Sequence, residues 1–156
     1  MFINIGDIIG PTAKQPNRML LISFFASWCE ACKNELPQIE KYYRDYHEKG
    51  LSSVYICIDT EKEGAAKAGK FVTAQKFSAT VLHDSYNIVA RRYFKDEFIL
   101  PATYLIGADG KVLAVFTGGG NKDVEALGTL LSSFFSPETK HPEEVNAKSA
   151  AGEKER

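Results

Sequence analysis

The residues LLISFFA at 20–26 form an apolar run of strand length, interrupted only by Ser23, and it stops where the stretch SWCEACK begins. A run with no polar face predicts a strand covered on both sides, as in a sheet lying between helices. The period then changes. From 30 to about 49, Leu36, Ile39, Tyr43 and Tyr46 recur at spacings of three and four among charged residues. This predicts an amphipathic helix with Pro37 as an internal kink and Gly50 as its C-cap.

A second buried strand is expected over 53–59 (SVYICID), then a weaker helix over about 62–76. A short strand or extended loop at 79–84 and a short helix over about 87–94 follow, with His83-Asp84 closing the strand. Farther on, ATYLIG and KVLAVFT flank Ala108-Asp109-Gly110, and Asp-Gly between two apolar runs predicts a β-hairpin. Gly118-Gly119-Gly120 matches no phosphate-loop pattern and reads as a turn. A last helix is expected from 122 to about 135, with Val124, Leu127, Leu130, Leu131 and Phe134 on its inner side. The order of elements predicts an α/β fold with a central mixed β-sheet flanked by α-helices. Beyond Pro137 the chain turns polar and charged, so 1–136 reads as a single domain and 137–156 as a polar, flexible tail.

Composition narrows the function classes. With 156 residues, 44% of them hydrophobic, the chain can bury one core without covalent staples, so its three cysteines are not a disulfide scaffold. The net charge of -1 gives no global reason to expect nucleic acid or an anionic membrane as partner. No apolar run approaches the roughly 18 residues of a membrane span, and MFINIGDIIGPTAK lacks the features of a signal peptide. The expectation is a cytoplasmic protein, or one from which an export segment was removed.

The chemistry concentrates at Cys29 and Cys32. Cys29 falls at a predicted strand-to-helix junction, where unpaired backbone N–H groups and the positive end of the helix dipole favour thiolate over thiol. Cys32 lies one turn on, within reach of a disulfide. A structural zinc site needs four ligands, and neither Cys57 nor His47, His83 and His141 stands at ligand spacing, so no metal is expected. A Cys-x-x-Cys at such a junction in an α/β pattern reads as a redox motif, against the alternative of two small buried hydrophobes.

The segments FFASWCEACKNELPQIEKYY and LPATYLIGADGKVLAVFTGG, and the strand-helix order between them, resemble the thioredoxin fold and, within it, the TlpA/ResA-like thiol-disulfide oxidoreductases. The resemblance spans about 17–135. It rests on Trp28 before the first cysteine, the Cys29/Cys32 pair, Glu35-Leu36-Pro37 on the helix, and a Pro-x-Thr strand leading into a Gly-Lys hairpin. It implies that Pro101 is cis and packs beside the cysteines, that Leu100 offers its backbone to an extended substrate, and that Trp28 walls the site. It also implies protein dithiol or disulfide substrates, an upstream thiol reductant that can be membrane-bound, no cofactor beyond the redox-active disulfide, and a setting in the bacterial cell envelope or periplasm. Competing readings are a non-enzymatic protein-binding module of the same fold and a peroxiredoxin-like peroxidase; against the latter, Ala26 stands where peroxiredoxins carry threonine.

Departures from the family pattern tune these expectations. Ala31 replaces the usual proline before the second cysteine, and Glu30 sets a negative charge against the Cys29 thiolate. Dipole and charge oppose each other, which predicts a thiol only modestly more acidic than a free cysteine, and a reductant rather than a strong oxidant. Thioredoxins carry a buried carboxylate where this chain has Ser23, so a proton acceptor for Cys32 must come from elsewhere; Glu61, after the second strand, is the candidate, though it also reads as a solvated charge at a helix start. Cys57, in an apolar strand, is expected to be a buried inert thiol.

Overall fold

In the computed structural model, which describes residues 19–135, the first apolar run becomes strand β1 (Met19–Phe25), buried along its whole length. It is the middle of a five-stranded sheet of order β3-β2-β1-β4-β5. Strand β2 (Leu51–Cys57) pairs with β1 in parallel and β3 (Thr80–His83) pairs with β2 in parallel; β4 (Ala102–Gly107) and β5 (Val112–Thr117) form an antiparallel hairpin, with β4 against the other side of β1. The strand period of two then sorts the core. Leu21 and Phe25 point to one face with Tyr55, Cys57 and Leu105, and Leu20, Ile22 and Phe24 to the other with Val54, Ile56 and Ile106.

Helices α1 (Glu30–Tyr46), α2 (Lys62–Gln75) and α4 (Asn121–Phe135) supply the first face with Leu36, Ile39, Ala68, Leu127 and Leu131. The short α3 (Ala90–Tyr93) and Phe94 cover the second. Pro37 lies inside α1, which runs on through it into a short 3-10 turn over His47–Lys49. Gly50, at φ 107° in the left-handed region, ends that turn and delivers the chain straight into β2. This is why β2 begins two residues earlier than its apolar run suggests. It also ends two residues earlier, because the Asp59 carboxylate is drawn to Ser27 and takes the chain off the ladder.

Two other expectations need correction. The short helix begins at Ala90 rather than 87, because Asn87 has φ 55° and the Asp84 carboxylate accepts from the N–H groups of Ile88 and Ala90, ordering the approach as a turn. On α4 the buried aromatic is Phe135, which stacks on Tyr46, while Phe134 is exposed. The tail at 137–156 lies outside the described residues.

One buried polar cluster ties α1 to the loop before β3. Glu40, on α1, accepts from Tyr55 Oη at 2.9 Å, Ser78 N–H at 2.6 Å and Arg44 Nε at 3.1 Å. Glu40→Ala strands the Tyr55 hydroxyl and the Ser78 amide without an acceptor, and the expected cost is about 3 kcal/mol. Urea denaturation checks it as a fall in midpoint at unchanged slope.

Candidate active site

Cys29 is the N-cap of α1: its backbone is extended, and its Sγ accepts the N–H of Cys32 at 3.2 Å. The sulfur therefore occupies the place where a capping oxygen would satisfy an orphan donor at the positive helix end. Cys29 and Cys32 are joined as a disulfide with Cα atoms 5.3 Å apart. Their surroundings differ. Cys29 is 7% exposed and Cys32 fully buried, so an incoming sulfur has access to Cys29 alone. Trp28, at 64% exposure, stands beside it at the surface.

The Leu100–Pro101 peptide is cis. Pro101 immediately precedes β4, and its carbonyl accepts the Gly118 N–H at 3.0 Å. Gly119 explains how the two sequence segments meet. Its φ of +73° favours glycine, and a Cβ there would lie 3.0 Å from both the Ala31 side chain and Pro101 Cδ. Pro101 thus shares a close neighbour with the dipeptide between the cysteines, and the glycine run, read as a plain turn in the sequence, closes this side of the site. Leu100 is partly buried and packs against both core clusters.

Glu30 is exposed and held by Lys33 Nζ at 2.6 Å. Its charge is locally offset, so it opposes the Cys29 thiolate less than a lone carboxylate would. Ala31 is exposed at the surface of the first helical turn. Ser23 is occupied, its hydroxyl bonded to that of Thr103 at 2.9 Å. Glu61 is exposed as the N-cap residue of α2, its side chain capping nothing, and it lines a cavity with Ser27, Trp28, Asp59 and Phe98. Cys57 is buried, with its thiol donated to Asp59 at 3.2 Å. Burial pushes that thiol up to about 12, with the Asp59 carboxylate adding to the effect, and it is inert at neutral pH.

A buried carboxyl group on α1 close to the pair is Glu35, which the sequence offered only as part of the Glu35-Leu36-Pro37 motif, with no chemical role. It lies one helical turn beyond Cys32, a spacing that brings side chains to about 5–6 Å between Cβ atoms. Glu35 is 6% exposed, and its Oε2 has no hydrogen-bond partner among the described residues. Burial raises its pKa to about 7, the Asp123 charge on α4 adds to this, and the Gly120 N–H works against it. It lines a cavity with Ala31, Asn34, Gly119 and Gly120. The i+3 spacing from Cys32 was a visible signal; its burial under the glycine loop was not.

Among the described residues no group of three or more His, Cys, Asp or Glu is placed to hold a metal ion, and no helix is long and apolar enough to cross a membrane. A family model described as Redoxin matches residues 11–131. Similar curated proteins include the thiol-disulfide oxidoreductases ResA of Bacillus subtilis, 29% identical over 64% of this chain and 52% of that protein, and of Oceanobacillus iheyensis, 27% identical over 64% and 49%. The chain spans about half the length of these curated relatives. A solved structure, a putative thiol:disulfide interchange protein DsbE from Chlorobium tepidum, superposes with a TM-score of 0.66 at 27% identity, covering 75% of this chain and 79% of that one. Thioredoxin-like neighbours of this kind fit the mixed sheet flanked by helices.

Proposed function

The chain belongs to the Redoxin family, and from that membership and the site we propose that it is a thiol-disulfide oxidoreductase that reduces disulfides of partner proteins. The observation that carries the proposal is the asymmetry of the pair: Cys29, the N-cap of α1, keeps a small exposed area, and Cys32, one turn on, has none. In the dithiol form, the Cys29 thiolate attacks one sulfur of a partner disulfide. The partner S–S bond breaks, and its leaving sulfur takes a proton. Cys32 gives up its proton, attacks Cys29 Sγ and restores the Cys29–Cys32 disulfide, releasing the second partner sulfur as a thiol after it too is protonated. One disulfide has been reduced and one dithiol oxidised. Glu35, whose carboxyl group exchanges a proton near neutral pH, is the group we assign to receive the Cys32 proton, in place of Glu61.

Trp28, Leu100 and Pro101 form the substrate-facing rim in this reading, with Glu30 and Ala31 tuning the pair. The reaction needs no cofactor beyond the disulfide. An upstream thiol reductant, membrane-bound or soluble, returns the protein to its dithiol form, and the family resemblance supports a place in the cell envelope. Residues 1–136 are taken as the working domain.

The test is the equilibrium of the Cys29–Cys32 pair against dithiothreitol or glutathione, with thiols counted by mass spectrometry. A potential toward the thioredoxin end, on the order of -270 mV, is expected for a reductant. A value near -120 mV would make it an oxidant, and no disulfide at any poise would remove the redox reading altogether.

A further inference from the structure

A second buried carboxylate lies next to the cysteine loop and takes no part in the steps above. Asp59, just past the end of β2, is 5% exposed. Its Oδ2 accepts the Ser27 backbone N–H at 2.7 Å and the Cys57 thiol at 3.2 Å, and its Oδ1 accepts the Ser27 hydroxyl at 2.8 Å. Ser27 is two residues before Cys29. Around this contact the chain is tightly held: Ile58 N–H bonds to the Phe25 carbonyl at 2.9 Å and Cys29 N–H to the Ala26 carbonyl at 3.1 Å. A side chain at Gly64, in the first turn of α2, would collide with Oδ1. The carboxylate is therefore boxed between α2 and the loop that carries Cys29.

Its charge has no cationic partner among the described residues. The charged and titratable groups that share its cavity are Glu61, the N-cap residue of α2, and Glu63 and Lys67 on that helix, and Lys67 is committed to Glu63 at 2.9 Å. His83, on β3, reaches the Asp59 backbone carbonyl rather than the carboxylate. On the side of Cys29, Glu30 is paired with Lys33, and Glu35 lies farther along α1. A buried negative charge held by neutral donors acts at longer range than an exposed pair, because little solvent screens it.

We propose that Asp59 is a positioning residue that locks the Ser27 to Cys29 turn and, through its unbalanced charge, holds Cys29 toward the thiol form, keeping the pair reducing. The inference rests on the oxidoreductase reading. The two effects at Cys29 oppose one another: the helix end, with about half a positive charge, favours thiolate, and Asp59 disfavours it. The balance gives a nucleophile that does not leave easily once it has formed a disulfide, since a low thiol pKa makes a good leaving group.

The experiment is the pH dependence of Cys29 alkylation by iodoacetamide in the full, reduced chain carrying Cys32→Ser, with Asp59 intact or Asp59→Asn. Asparagine keeps an acceptor for the Ser27 amide and removes the charge. The expected result is a midpoint lower by about one pH unit, a tenfold change in ionisation constant. In the two-cysteine protein, at a pH above both midpoints, the equilibrium with glutathione should move tenfold toward the dithiol, about 30 mV. A folded Asp59→Asn protein with unchanged midpoint and equilibrium overturns the proposal. Should that variant not fold, Ser27→Ala tests the claim from the other end. Loss of the hydroxyl donor leaves the charge less neutralised, so the midpoint should rise, by about threefold in ionisation constant, and an unchanged midpoint would count against it. Loss of the oxidoreductase reading would show separately, as wild-type protein unable to reduce a protein disulfide.

Discussion

Cys29→Ser is expected to bring catalysed reduction of a protein disulfide such as insulin down to the rate of the reductant alone, while Cys32→Ser stops after the first step. The asymmetry of burial is the reason. Of the pair, Cys29 alone retains some exposure, 7% against none for Cys32, so its loss leaves no nucleophile that a partner can reach. Without Cys32 the attack still occurs, but nothing resolves the adduct, and mixed disulfides accumulate on Cys29. Mass spectrometry of Cys32→Ser mixed with an oxidised protein substrate should find the adduct, and turbidity or thiol release should report the loss of turnover. The reverse pattern, with adducts trapped on Cys32 and activity surviving Cys29→Ser, would invert the assigned roles.

Glu35→Gln should have two opposite effects, both large. The carboxyl group titrates near 4.5 in the unfolded chain and near 7 when folded. Between those values the folded protein holds the extra proton, so stability is fully present below about pH 4.5 and falls as the pH rises through 7. A buried group with this shift costs about 3 kcal/mol once ionised. Glutamine removes that cost, and the disulfide form of Glu35→Gln should be more stable than wild type at pH 8 by about 2–3 kcal/mol. The two should differ far less at pH 5. Urea denaturation at both pH values decides this, and equal stability at pH 8 would show that the group is not buried with a raised pKa. Activity should move the other way: without an acceptor for the Cys32 proton, resolution of the mixed disulfide at pH 7 should slow by one to two orders of magnitude. A wild-type resolution rate would return the acceptor's role to Glu61 or to water.

Much of this protein was readable from local pattern because local pattern reports on the same forces that bury it. The run at 20–26 has no polar face, and β1 is buried throughout with sheet on both sides. The hairpin at Ala108-Asp109-Gly110 follows from backbone sterics, and Gly110 adopts φ +80° there. Boundaries failed where a distant side chain intervened: Asp59 reaching Ser27 shortened β2, and Asp84 capping Ile88 and Ala90 delayed α3. At the end of α4 the buried stripe runs 124, 127, 131 and 135, a helical spacing, and the apolar Phe134 beside it faces solvent, which its hydrophobicity does not reveal.

What the sequence determined by itself was the identity and spacing of the reacting groups. Two thiols one helical turn apart at a strand-to-helix junction need no tertiary knowledge to be read as a redox pair, because the spacing and the helix end act within four residues. The tertiary structure alone decided how the carboxylates around them divide. Glu30, Glu35, Asp59 and Glu61 are all acidic side chains within reach of the motif on paper, and their sequence neighbours do not separate them. Folding leaves Glu30 paired with Lys33 in solvent, exposes Glu61, buries Glu35 beside the glycine loop within the field of Asp123, and seals Asp59 against Ser27. The cost of ionising a carboxyl group depends on what replaces water around it, and that replacement comes from residues dozens of positions away.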